Sequence, residues 1–172
     1  MTGAGDPGSL SATGGLLLRL AAGLSSDAHR TATAYAALRG VWVGPASVMA
    51  RRRGDLLAAA TTTLAEESAR IGAVLQRHST DLAELLEEEA GLRARATSAG
   101  LSVSDTGVAL SPGPRGLADA DDVARTEAVR AILDTAWNDL QGRVRASRTA
   151  VHAALDASAD RLGAAAGTLR VR

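Results

Sequence analysis

The chain has 172 residues, with 19 arginines, no lysine, 19 carboxylates and a formal net charge of zero. That average charge argues against general nucleic-acid affinity or anionic-membrane binding. Hydrophobic residues make up 46% but aromatics only 2%, and phenylalanine is absent, so a core of Ala and Leu in close-packed helices fits better than a sandwich or an α/β core. Cysteine is also absent, which excludes disulfides, thiolate metal sites and cysteine nucleophiles.

Residues 1–9 are Gly-rich and read as a flexible N-terminus without the cationic start of a standard secretory leader. The longest early apolar run, Leu16-Leu17-Leu18, stops at Arg19. It is far short of the roughly 20 residues that a transmembrane helix needs, so stable membrane insertion is not expected. From about 10 to 39, Leu17, Leu20, Leu24, Ala28, Ala32, Tyr35 and Leu38 recur at intervals of three and four, which is helical spacing. Gly14, Gly15 and Gly23 weaken that helix by about 1 kcal/mol each relative to Ala.

Gly40-Val41-Trp42-Val43-Gly44-Pro45 then breaks the pattern. Glycine past a helix end and proline at the next helix start are the usual stop and start signals. The stretch 40–45 therefore reads as a tight turn, with Trp42 as a large aromatic plugging the elbow. A second helix is expected over about 46–99. Its apolar stripe is Met49, Leu56, Ala60, Leu64, Ile71, Leu75, Leu82, Leu85 and Leu92, and Gly100 is its natural stop.

After Gly100 the period changes from helical to alternating. Leu101-Ser102-Val103-Ser104 and Val108-Ala109-Leu110 flank Asp105-Thr106-Gly107, which predicts a small β-hairpin within a connecting loop over 100–117. Ser111-Pro112-Gly113-Pro114 closes it. A third helix is expected over about 119–170, with the stripe Val123, Val129, Leu133, Trp137, Leu140, Val144, Val151, Leu155, Leu162 and Leu169.

The fold class that follows is all-α, as a single elongated domain over 10–172. The second and third helices match in length, so they would form a long antiparallel hairpin with the shorter first helix packed on one half. The other half would have only two helices and the β-hairpin. Two amphipathic helices leave part of their stripes open, which makes Leu82, Leu85, Leu92, Val129 and Leu133 a candidate interface for a partner, for self-association or for a further domain.

The sequence carries no recognisable catalytic chemistry. His29, His78 and His152 fall on three different helices with no ligand spacing. Glu84, Glu87, Glu88 and Glu89 spread around a helix as a solvated face would. No Glu-x-x-His pair of the di-metal bundles is present. Arg51-Arg52-Arg53 reads as surface charge, and no phosphate loop or nucleophile elbow is present. No enzyme activity, metal or cofactor is expected.

Trp42-Val43-Gly44, in the one break between two amphipathic helices, resembles the WXG family of type VII secretion substrates. Its neighbourhood also fits: Asp6-Pro7, Trp42-x-Gly44-Pro45-Ala46, Leu82-Ala83 and Leu92-Arg93-Ala94-Arg95-Ala96 look like the secretion-signal domain of actinobacterial type VII effectors. The likeness covers about 6–99. Ala118-Asp119-Ala120 is similar to the continuation in such proteins.

The resemblance implies a non-enzymatic helical hairpin that pairs with a helical protein, as a homo- or heterodimer, and is recognised by a membrane-bound secretion ATPase. Trp42, Gly44 and Pro45 would form the recognition turn. The chain would be cytoplasmic before export and secreted or cell-surface afterwards. Family members often carry Tyr-x-x-x-Asp/Glu after the hairpin as part of the export signal. Here no Tyr follows the turn, and His152-x-x-x-Asp156 is the nearest match. The rival reading is a cytoplasmic coiled-coil scaffold, adaptor or chaperone-like partner that is not exported.

Overall fold

The computed structural model describes residues 5–39, 41–111 and 119–170. Among these, three helices and one two-stranded sheet occur in the order α1 (Pro7–Ala37), α2 (Pro45–Ser98), β1 (Leu101–Ser104), β2 (Gly107–Leu110) and α3 (Ala120–Arg170). The chain is mostly helical, and its helices pack against one another. Gly40 of the turn, Pro112, Gly113 and Pro114 of the loop, and Ala118 lie outside the described residues.

The element ends follow local chemistry. α1 and α2 both begin on a proline, whose fixed φ suits the first helical position. The Gly44 carbonyl accepts from the Ser47 and Val48 amides at 3.0 and 3.3 Å, and from the Ser47 hydroxyl at 2.7 Å. At the other end of α2, Gly100 sits at φ +70° and stops the helix in the left-handed region that glycine tolerates. Asp121 and Asp122 in the first turn of α3 complement its dipole.

The chain divides into two compact units, and α2 and α3 contribute to both. The first, here the hairpin unit, is built on Thr80–Thr149. β1 and β2 pair antiparallel, with Leu101 opposite Leu110 and Val103 opposite Val108. A two-stranded hairpin is marginal alone, and three side chains tie this one to the helices. Arg93 of α2 donates to the Val103 carbonyl at 3.0 Å, Asp134 of α3 accepts from the Val108 amide at 3.0 Å, and Arg130 donates to the Val108 carbonyl at 3.4 Å.

Leu101 and Val108 thereby enter one buried cluster with Leu85, Leu92, Leu133, Trp137, Leu140 and Val144. Arg93 lies 5.2 Å from the Trp137 ring centroid as a cation–π contact. The stripe expected to be open is therefore closed. Leu82, Leu85, Leu92 and Leu133 are buried, and Val129 packs partly buried against the cluster. The β-hairpin and Trp137 do the covering that a partner was expected to do.

The second, here the turn unit, is built on Gly8–Ser79 and Ala150–Arg172. Its buried residues are mostly small: Gly14, Ala21 and Ala28 on α1, Ser47, Gly54, Ala58, Ala65, Ser68, Gly72 and Ser79 on α2, and Ser158 on α3, with Glu67 and Leu75 the larger exceptions. α1 runs antiparallel to α2 at backbone-to-backbone distance. A Cβ at Gly14 would lie 2.9 Å from the Gly72 carbonyl oxygen, and a Cβ at Gly72 equally close to the Gly14 carbonyl. Near the other end of the pair, the Tyr35 ring fills the space where a Gly54 Cβ would be. Ser11 and Gln76 add a side-chain bond at 3.3 Å, and Gln76 donates to the Ser11 carbonyl at 2.6 Å.

Of the glycines that read as weaknesses of α1, Gly14 is thus a contact point, whereas Gly23 meets nothing within 4 Å. The apolar stripe read for this half is divided: Ala28 and Leu75 are buried and Leu17, Leu24, Tyr35 and Ile71 half-buried, whereas Leu20, Met49, Leu56 and Leu64 are exposed.

In both units the buried positions keep a seven-residue repeat. On α1 they are Gly14, Ala21 and Ala28. On α2 one set is Ala58, Ala65, Gly72 and Ser79, and a second is Ser68, Leu75, Leu82, Glu89 and Ala96. This is coiled-coil spacing, hidden in the sequence because so many of its occupants are Gly, Ser or Ala.

Candidate recognition surface

The turn from Val41 to Gly44 closes on short backbone bonds. The Val41 and Trp42 amides donate to the Leu38 carbonyl at 3.3 and 3.1 Å, and Gly44 adopts φ +118° with open space around it. Arg51, two turns into α2, donates to the Trp42 carbonyl at 3.2 Å.

Trp42 does not plug the elbow. It is 41% exposed, between Val41 at 84% and Val43 at 85%. The aromatic that packs at this end is Tyr35, which is half-buried over Gly54. Val48 and Met49 of the first turn of α2 are exposed beside the turn. Arg39, Arg52 and Arg53 are exposed and Arg51 is half-buried. The turn unit also exposes Leu16 and Leu20 on α1, and Leu56, Leu57 and Leu64 on α2. A concentration of exposed leucine and valine of this kind marks an interaction surface.

The other expected residues do not converge on the turn. His152 and Asp156 are both exposed, one turn apart on α3. His29 is exposed on α1 and His78 half-buried on α2. Among the described residues, no three His, Asp or Glu side chains are placed to hold a metal ion.

In the hairpin unit a shallow cavity of about 280 Å³ is lined by Asp81, Glu84, Leu85, Glu88, Arg143 and Ser147. Arg143 already bonds Glu88 at 2.5 Å and Asp139 at 3.1 Å, so its charge is engaged within the protein. The acidic run is not all solvated, because Glu89 is buried and pairs with Arg93 at 2.9 Å.

One charged residue was not singled out from the sequence. Glu67 is buried among small residues of the turn unit. Arg161 of α3 grips it with both nitrogens, at 2.7 and 2.9 Å, and also bonds Ser158 at 3.2 Å, while Arg70 pairs with Glu67 from one turn away. The Arg161 bonds, then those of Ser158 and Arg70, outweigh the effect of burial and hold the Glu67 carboxyl down at about 2. The signal that could have found it is a carboxylate between Ala65 and Ser68 on the seven-residue pattern. This is a structural clamp, because every oxygen of the carboxylate is already bonded.

No family model matches the chain, and neither the curated proteins nor the solved structures include a significant match.

Proposed function

We propose that this chain is a non-enzymatic helical recognition module, a substrate or targeting module of a type VII secretion system, whose contact element is the turn carrying Trp42, Gly44 and Pro45. The observation that carries the reading is the outward placement of Trp42 between exposed Val41 and Val43. A tryptophan held out of the core in a short turn costs exposed apolar area, and a partner that covers it recovers that cost.

In this reading α2 and α3 form an antiparallel hairpin on which α1 lies. A helical partner, as a second copy or a different chain, covers the exposed leucines of the turn unit, and the secretion ATPase reads the turn. The chain is cytoplasmic before export and secreted or cell-surface afterwards. In this reading His152 and Asp156, both exposed on α3, are the nearest match to the export-signal pair, with His in the aromatic place.

The seven-residue repeat of buried positions favours a second reading, a cytoplasmic coiled-coil scaffold, adaptor or chaperone-like partner that stays inside the cell. Size-exclusion chromatography with light scattering, and export assayed in a cell that carries the secretion system, separate the two. Targeting predicts that Trp42→Ala abolishes export while leaving helicity and melting temperature nearly unchanged. A scaffold predicts no export of either form.

A further inference from the structure

The zero net charge conceals a segregation. From Asp27 to Asp55 there is no carboxylate between the two, but there are five arginines: Arg30, Arg39, Arg51, Arg52 and Arg53. Arg30 pairs with Asp27, and none of the ion pairs among the described residues takes the other four. Those four flank in sequence the turn near which Val41, Trp42, Val43, Val48 and Met49 are exposed, and Arg51 bonds the Trp42 carbonyl at 3.2 Å.

We infer that this turn docks peripherally on an anionic bilayer surface. Val41 and Val43 enter the headgroup boundary, Trp42 sits at headgroup level, and Arg39, Arg52 and Arg53 meet lipid phosphates. Tryptophan favours that interface, and arginine reaches from it to the headgroups along its apolar stem. Each arginine near an anionic surface strengthens binding by roughly a factor of five, and the effect is screened by salt.

The exposed side chains favour a bilayer over an acidic protein. Val41 and Val43 are almost fully exposed on either side of Trp42. A protein partner would need a matching pocket, whereas a bilayer accepts exposed apolar side chains in any arrangement. None of the described helices is long and apolar enough to cross a membrane.

The inference takes from the targeting reading only the turn as contact element, and protein-free vesicles test it separately. The full chain is sedimented with vesicles of phosphatidylcholine alone and with vesicles containing phosphatidylglycerol, at low and high salt. The expected result is binding to the anionic vesicles only, weakened by salt. Arg52→Gln with Arg53→Gln should weaken it roughly thirtyfold, and Trp42→Ala about tenfold or more. The double arginine variant leaves the Arg51 bond to the Trp42 carbonyl in place, and circular dichroism checks that both variants fold.

Equal binding to neutral vesicles, or undiminished binding by the arginine variant, overturns the inference. So does failure to bind anionic vesicles, or capture of the turn by an acidic helical protein while vesicles are ignored. In those cases, loss of export in Trp42→Ala would still uphold the targeting reading. Normal export of that variant, beside wild-type binding to anionic vesicles that the variant loses, would sink the targeting reading alone.

Discussion

The two units sort their side chains in opposite ways. In the hairpin unit Leu85, Leu92, Leu133, Trp137 and Leu140 are inside, with β-strand residues laid over them. In the turn unit Gly14, Gly54 and Gly72, with Ala21, Ala28, Ala58 and Ala65, are inside, and Leu16, Leu20, Leu56, Leu57 and Leu64 are outside. Both use the same seven-residue spacing, so spacing alone does not decide what is buried. The occupant's size contributes: small residues such as Gly14 and Gly72 let the backbones approach. The hairpin unit is built to be closed. The turn unit keeps its large apolar groups available to something else.

The largest expected effect lies in the closed unit. Trp137→Ala should destabilise by about 3–5 kcal/mol and Leu92→Ala by about 2–5, read from denaturant midpoints. Near-neutral values would mean that the cluster is loosely packed and the contrast between the units is false. Next comes overpacking of the close contact. Gly72→Val would place atoms against the Gly14 carbonyl and should cost about 1–3 kcal/mol, while Gly23→Ala, which meets nothing within 4 Å, should gain about 0.5–1.

The Glu67 clamp sharpens the comparison through pH. Its carboxyl titrates at about 2 in the folded chain against an ordinary 4.5. The depressed value means that the clamp's stabilisation is complete above about 4.5 and is lost as pH falls toward about 2. Wild type should therefore melt progressively lower over that window, and Arg161→Gln should melt lower at neutral pH with a flatter acid slope. An unchanged slope in the variant would show that Arg161 does not hold the carboxylate. The smallest effects are expected on the exposed leucines. Leu16→Gln and Leu57→Gln should shift stability by no more than about 0.5 kcal/mol, while weakening any partner complex seen by light scattering.

Much of the element plan is legible locally. Pro45 starts α2, Gly100 stops it, and the switch from helical to alternating pattern at Leu101 marks the β-hairpin, because these signals depend on a few neighbouring dihedrals. The burial pattern of the turn unit is only partly legible, for a related reason. Leu20, Met49, Leu56 and Leu64 at helical spacing look like a core face, but Gly14, Gly54 and Gly72 hold the contact instead. A glycine contributes nothing to an apolar pattern, and only the helix across from it shows that the missing Cβ is the point. The turn is legible from its glycine and proline, whereas the exposure of Trp42 is not, because it depends on packing around the turn that no local signal encodes.

The sequence by itself determined the helices, the strands and the turns between them, since helical periodicity, proline and glycine act through adjacent backbone. It also contained the carboxylate-free, arginine-rich stretch around the turn. Only the tertiary structure decided which stripes are covered. That depends on distances between axes and on the β-hairpin's three side-chain ties, which join residues far apart in the chain. It also decided that Glu67 meets Arg161, 94 positions away, and that Trp42 faces outward. A chain can carry one heptad rhythm throughout and still close one part of itself while leaving another part open, because packing responds to side-chain volume, which the rhythm does not encode.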